Sequence, residues 1–229
     1  MPPPTAAPGA DPRAELAALC ERGLDWRTDG IRAHADTERA RPAAVLVLFG
    51  VLDAVPASSP GPVARDLDVL LLRRAATLGS HAGQIAFPGG RVEASDAGAV
   101  DAAVREAVEE TGVDPEGIEP LGVLPAMHVM VSNHLVTPVP AWWTRPSEVA
   151  AVDHNESVEV FRVPVADLLE PSNRANTEHV FGGAVYRSPA FTVDDRLIWG
   201  FTALVLSRVF DELGWAEPWD AGRIVEWDA

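Results

Sequence analysis

Dense apolar runs set off by turn-forming residues mark out most of the chain. Ala44 to Leu52 (AVLVLFGVL) and Leu67 to Arg74 (LDVLLLRR) are short and strongly apolar, the pattern of strands buried on both faces. Between them, Pro56 to Val63 (PASSPGPV) has the composition of a loop. Leu16, Leu19, Cys20 and Leu24 follow helical spacing, which predicts a helix from Arg13 to about Trp26. Met1 to Pro12 is rich in Pro and Ala and is expected to form a disordered tail. A brief strand is expected at Gln84 to Phe87, broken by Pro88, Gly89 and Gly90. The clearest helix runs from Asp96 to Thr111, with Ser95 or Asp96 as its cap and Gly112 as its stop. Further strands are predicted near Ile118 to Leu124, His134 to Trp142, Glu159 to Val163 and Val185 to Val193. A closing helix spans about Trp199 to Leu213, with Phe201, Leu204, Val205, Val209 and Phe210 on its buried face. Strands outnumber helices and do not alternate strictly with them. An α+β domain with a mixed sheet follows, one domain over 13–229 with its core at about 43–215.

Charge narrows the partners. The chain carries 34 acidic residues against 18 basic ones, a net of -16. Nucleic acid and anionic membranes should be repelled by such a surface. An anionic small molecule can still approach if a divalent cation screens it. Every basic residue is Arg, so a Lys nucleophile or Schiff base is excluded. Cys20 is the single cysteine, which rules out an internal disulfide and suits a reducing cytoplasm. Cys20 has no local His or second Cys to activate it and reads as an ordinary packed thiol. The longest apolar stretch, Ala43 to Val55, is interrupted by Gly50 and Asp53 and falls short of the roughly 20 residues that span a bilayer. The N-terminus lacks the basic-then-apolar order of a signal peptide.

The helix Asp96 to Thr111 carries the candidate chemistry. At about 100° per residue, Val100, Val104, Ala107, Val108 and Thr111 form a stripe expected to face the core, with Glu106, Glu109 and Glu110 together roughly opposite. Carboxylates spaced i, i+3 and i+4 repel by about 0.2–0.5 kcal/mol for each close pair, and they sit where the helix dipole disfavours them. Between Val92 and Thr144 the one arginine is Arg105. A solvated surface helix normally mixes signs; this one does not, and a bound hard cation such as Mg²⁺ would turn the repulsion into attraction.

The surroundings of the helix resemble a known signature. Gly90, five residues, Asp96, eight residues, then Arg105-Glu106-Ala107-Val108-Glu109-Glu110-Thr111-Gly112-Val113 is similar to the Nudix box. The box reads Gly, five residues, Glu, seven residues, then Arg-Glu-apolar-any-Glu-Glu-any-Gly-apolar. Its right half matches at every fixed position; its left half differs by Asp96 for Glu and by one extra residue. Those differences resemble the coenzyme A pyrophosphatase branch. So does the segment before the box, where Arg74, His81, Gly83 and Phe87 to Gly90 agree with the branch pattern, while Gly79 stands where a second Arg is expected. Arg73 is a candidate substitute for that Arg. The likeness extends over about Ala43 to Arg208.

The resemblance implies an α/β/α Nudix sandwich with a mixed sheet and the Nudix loop–helix. It also implies hydrolysis of a pyrophosphate bond assisted by Mg²⁺ or Mn²⁺. Glu106, Glu109 and Glu110, helped by the Gly90 carbonyl, would hold the metal, with Arg105 keeping the carboxylates in place. Arg73, Arg74 and His81 would meet the substrate. Glu156 is the candidate general base, with Glu106 as rival. Coenzyme A or an acyl-CoA would give 3′,5′-ADP and (acyl-)4′-phosphopantetheine. Another nucleoside diphosphate derivative such as ADP-ribose is the alternative, kept open by Gly79. A non-catalytic binding module on the same fold is a third, although the box carboxylates are all retained. A cytoplasmic enzyme is expected, with a homodimer as an admissible state. No Gly-x-Ser-x-Gly elbow and no calcium-loop signature occurs.

Overall fold

A computed structural model describes residues 11–26, 39–52, 63–75, 83–153, 157–181 and 183–226. Residues 56–62 of the expected loop and nearly all of the expected tail lie outside them. Helix α1 (Pro12–Arg22) opens one residue earlier than predicted. Asp11 accepts a hydrogen bond from Arg13 N and Pro12 takes the first helical position, where a missing N–H costs nothing. Gly23, at φ +73°, ends it before Trp26.

The strands are β1 (Arg41–Val51), β2 (Leu67–Arg74), β3 (Ile85–Ala86), β4 (Gly89–Arg91), β5 (Ile118–Pro120), β6 (Met127–Val129), β7 (His134–Trp143) and β8 (Ser157–Pro164). These eight form one mixed sheet. Its central pair, β1 and β7, runs parallel, with Ala43 beside Val136 and Phe49 beside Trp142; all other pairs are antiparallel. A second, antiparallel sheet has the order β11 (Arg196–Ile198), β10 (Ala184–Val193), β9 (Arg174–Phe181). Helices α2 (Ala99–Thr111), α3 (Val165–Leu169) and α4 (Gly200–Leu213) complete the fold.

The two apolar layers follow from residue parity along the central strands. On β1, Ala44, Leu46 and Leu48 pack with Ala102, Ala103 and Ala107 of α2. Val47 and Phe49 point the other way, to α1, α3, α4 and the small sheet. On β2, Leu70 belongs to the α2 layer, whereas Leu67, Val69 and Leu71 belong to the opposite one. Helix, sheet, then helices and a second sheet make the α+β sandwich that was expected. Pro138 and Pro140 are tolerated in β7 because their carbonyls accept from Leu124 N and Leu121 N, both at 2.9 Å, on the side away from β1. No helix among the described residues is long and apolar enough to cross a membrane.

Strands β4, β6, β9 and β11 and the short α3 were not predicted. Strand β9 (RANTEHVF) buries Ala175 and Thr177 rather than large apolar groups, so it lacks the apolar density that marked β1 and β2.

Candidate active site

The predicted break at Pro88 to Gly90 is instead an edge: the chain returns to β1 as β4, pairing Gly89 with Val45 and Gly90 with Ala44. Both glycines are there for space. A Cβ on Gly89 would overlap the Ala44 carbonyl and Val45, and one on Gly90 would overlap the Glu106 carboxylate. Past β4, Glu93 N donates to Asp96 Oδ2 at 2.7 Å and Ala97 N to Asp101 Oδ2 at 3.1 Å, which shape the turn into α2. The helix begins at Ala99, with Gly98 at its cap and no side-chain cap. The expected cap by Ser95 or Asp96 is therefore corrected. Asp96 turns inward because Arg105 offers it two charge-assisted hydrogen bonds, a stronger partner than a helix-end N–H. Gly112, left-handed at φ +68°, ends the helix as predicted.

A second correction concerns the faces of α2. Its buried residues are Ala102, Ala103, Ala107, Glu110 and Thr111. Small alanines let the helix lie close on β1. Val100, Val104 and Val108 are only half-buried and, with Pro115, Ile118 and Pro120, wall a shallow depression on the outer flank. The three glutamates consequently do not share one solvent face. Glu110 is 6% exposed and turned toward β4, where its Oε2 accepts from Gly89 N at 2.9 Å. Arg74 Nη1 lies 3.9 Å from the other oxygen of Glu110. The Glu109 side chain is 58% exposed, and that of Glu106 lies between these extremes at 19%.

Arg105 ties the arrangement together. Its Nε and Nη2 donate to the two oxygens of Asp96, both at 3.0 Å, and Nη2 also donates to the Arg91 carbonyl at 3.0 Å. Its Nη1 donates to Glu106 at 3.1 Å and to Glu109 at 3.2 Å. Asp96, and then Glu106, push the guanidinium pKa upward against the effect of burial, so it stays charged. Arg105 in turn holds the Asp96 carboxyl below its ordinary value, helped by the Glu93 N–H.

Among the described residues, no three carboxylate, imidazole or thiol groups converge as a ready metal cluster. The donors nevertheless fit a hard cation in kind. Glu106 Oε1 and Glu109 Oε2 already meet on one positive nitrogen, Arg105 Nη1, and the Gly90 backbone lies directly against Glu106. Of the residues predicted from sequence, Glu106 and Glu109 meet on Arg105, Gly90 lies against Glu106, and Glu110 sits apart from them beside Gly89 and Arg74. Arg73 joins neither group, since its side chain leaves the opposite face of the sheet and its Nε lies 3.3 Å from Glu159. His81 and Glu156 lie outside the described residues. Sequence reasoning missed the Gly89 N–H bound to Glu110 and the tie from Asp96 to Arg105. Both are contacts through space that no local spacing announces.

Comparison with known proteins identifies the family. The NUDIX domain model matches residues 59–181. A Nudix hydrolase of Citrobacter koseri, described as the uncharacterized NudL, is 32% identical over 183 residues, covering 80% of this chain and 88% of its own. The corresponding protein of Photorhabdus laumondii is 32% identical over 152 residues, 63% of this chain and 76% of that one. Among solved structures, a MutT/nudix family protein from Enterococcus faecalis is 20% identical with a TM-score of 0.43, covering 83% of this chain and 63% of that chain. The domain match and the NudL relatives place this chain in the Nudix family of hydrolases, enzymes of nucleoside diphosphate derivatives that generally use divalent metal ions.

Proposed function

We propose that this Nudix hydrolase cleaves the pyrophosphate of coenzyme A or an acyl-CoA, releasing 3′,5′-ADP and (acyl-)4′-phosphopantetheine. The observation that carries the reading is Arg74. It is the arginine of the coenzyme A-type segment preceding the box, and its guanidinium faces Glu110 at 3.9 Å. A phosphate-binding cation beside a carboxylate of the box is what a pyrophosphate needs at its point of cleavage. Support also comes from the agreement of His81, Gly83 and Phe87 to Gly90 with the same pattern.

In this reading Glu106, Glu109 and Glu110, with the Gly90 carbonyl, hold Mg²⁺ or Mn²⁺. The ion supplies charge neutralisation and a water of lowered pKa. Arg105 keeps Glu106 and Glu109 turned toward one another, and Arg74 and His81 bind phosphate oxygens. Glu156 accepts the proton of the attacking water, with Glu106 as the alternative. The enzyme works in the cytoplasm, where a single thiol stays reduced. Sedimentation of the purified chain decides between monomer and homodimer.

Gly79, in place of the second arginine, favours one further reading, a hydrolase of another nucleoside diphosphate such as ADP-ribose. Both are tested by chromatography of products after incubation with coenzyme A and, separately, ADP-ribose, each with Mg²⁺ or Mn²⁺. Release of 3′,5′-ADP, abolished by a chelator, is the expected result. Turnover of ADP-ribose alone transfers the assignment to the second reading. Silence on both overturns the coenzyme A and ADP-ribose assignments and leaves another nucleoside diphosphate substrate or a binding module.

A further inference from the structure

Glu110 divides its two carboxylate oxygens between different partners. Oε2 accepts from Gly89 N at 2.9 Å, and Oε1 lies 3.9 Å from Arg74 Nη1. The first contact is fixed in place. Gly89 pairs with Val45 of β1 and lies so close to it that a methyl group would not fit there. At 6% exposure the carboxylate has little room to turn away. The second contact is looser, because at 3.9 Å Nη1 is beyond hydrogen-bonding distance of Oε1.

The two arginines of the site are committed to different degrees. Arg105 spends its donors on Asp96, the Arg91 carbonyl, Glu106 and Glu109. The Arg74 backbone is held as firmly, by pairing with Ser157 and by its N–H on the Gln84 carbonyl at 3.0 Å. Its guanidinium is not: among the described residues Arg74 Nε is buried without a hydrogen bond, and 27% of the side chain is exposed. A divalent cation that uses Glu110 meets Oε1 as the oxygen not engaged by Gly89, and Arg74 already faces that oxygen. One carboxylate oxygen does not hold a guanidinium and a doubly charged ion side by side, since the two repel more strongly than a pair of single charges.

We propose that Arg74 and the divalent cation are alternative partners of Glu110 Oε1, so that Arg74 turns from the carboxylate to the ligand's phosphate when the cation is bound. Cation and anion then bind with positive coupling, each raising the affinity of the other, and the site fills with the cation first. Arg74 is in this sense a positioning residue for Glu110 as well as a contact for the anion. The proposal rests on the metal role of Glu110 proposed above and adds the order in which that site is filled. The competing account is a fixed ion pair that stays together whatever binds.

Two titrations of the full chain, neither using a nucleotide, separate the accounts. In the first, Mn²⁺ alone is added to chelator-treated protein and the free ion is read by its paramagnetic resonance. R74Q should bind Mn²⁺ at least about fivefold more tightly than wild type, the lower end of coupling between sites. In the E110Q background the same substitution should change Mn²⁺ affinity by less than about twofold, the scatter of independent sites. Unchanged or weaker Mn²⁺ binding in R74Q, or a fivefold gain that persists without Glu110, overturns the exchange. In the second, inorganic pyrophosphate is titrated calorimetrically without metal, and E110Q should bind it at least about fivefold more tightly than wild type. Equal binding overturns the exchange, and that arm stands even if R74Q does not fold. Mn²⁺ affinity in E110Q equal to wild type overturns the metal role of Glu110 and the proposal with it. A fall in E110Q with no gain in R74Q keeps that role and removes the exchange alone.

Discussion

Replacing Arg105 by alanine withdraws one guanidinium from five hydrogen bonds that reach Asp96, the Arg91 carbonyl, Glu106 and Glu109. Breaking a covered ion pair costs about 3–5 kcal/mol when the remaining charge is left without its partner. The Arg105 side chain is 25% exposed, which lowers that figure, and its link to the exposed Glu109 adds only about 0–1 kcal/mol. Removing the cation also leaves like charges on adjacent turns, at about 0.2–0.5 kcal/mol per pair. About 3 kcal/mol is the expected loss. For a domain of this size that corresponds to a fall in melting temperature of about 6–12 °C. Thermal unfolding at pH 7 in chelator-treated buffer reads it directly. Lysine at the same position keeps a charge but loses the fork that grips both Asp96 oxygens, so it should fall between alanine and wild type. A drop of less than about 2 °C in R105A would show that the loop after β4 and the helix α2 are held by something other than this arginine.

Three further outcomes are expected. Glu110→Gln keeps an acceptor for the Gly89 N–H but removes a charge, so turnover should fall by about 100-fold or more with little change in melting temperature; unchanged turnover would end the metal role of Glu110. Gly90→Ala drives a methyl group into the Glu106 carboxylate and should cost about 1–3 kcal/mol of stability together with most activity, and a variant melting and turning over like wild type would contradict the packing described. Asp96 has a folded-state pKa lowered chiefly by Arg105, so the stability it brings is present above the unfolded carboxyl value of about 3.9 and is lost as pH falls through the lower folded value. Melting curves between pH 5 and 2.5 should thus fall more steeply for wild type than for Asp96→Asn, and parallel curves would show that Asp96 carries no such linkage.

The elements legible from sequence were those whose burial is dense and two-sided. Strand β2 was predicted over the residues where it is found, and β1, β7 and β8 within a few residues, because their apolar runs admit few other environments. The box residues were legible for another reason: Glu106, Glu109 and Glu110 violate local electrostatics, and Arg105 precedes them in a fixed spacing. Which way α2 faces was not legible. Helical periodicity ranked valines above alanines, whereas close packing on β1 selects Ala102, Ala103 and Ala107 and leaves the valines at the rim. A glutamate at 6% exposure likewise contradicts its own hydrophobicity, and partners distant in sequence, Gly89 and Arg74 among them, help to explain it. Glu159 pairs with both Arg73 and Arg196, a cluster drawn from three distant segments, so no window of the sequence contains it.

The alternation of β2 also constrains how this chain can change over evolutionary time. Deleting or inserting one residue between Leu67 and Arg74 would exchange the sides taken by Arg73 and Arg74 and expel Leu70 and Leu71 from their respective layers. Point substitution can move through many intermediates here, but a change of length cannot. Among natural descendants of this sequence, length variation should therefore gather outside β2, and a shift of one residue within it would have to be matched by a compensating shift before Ile85 restores the pairing.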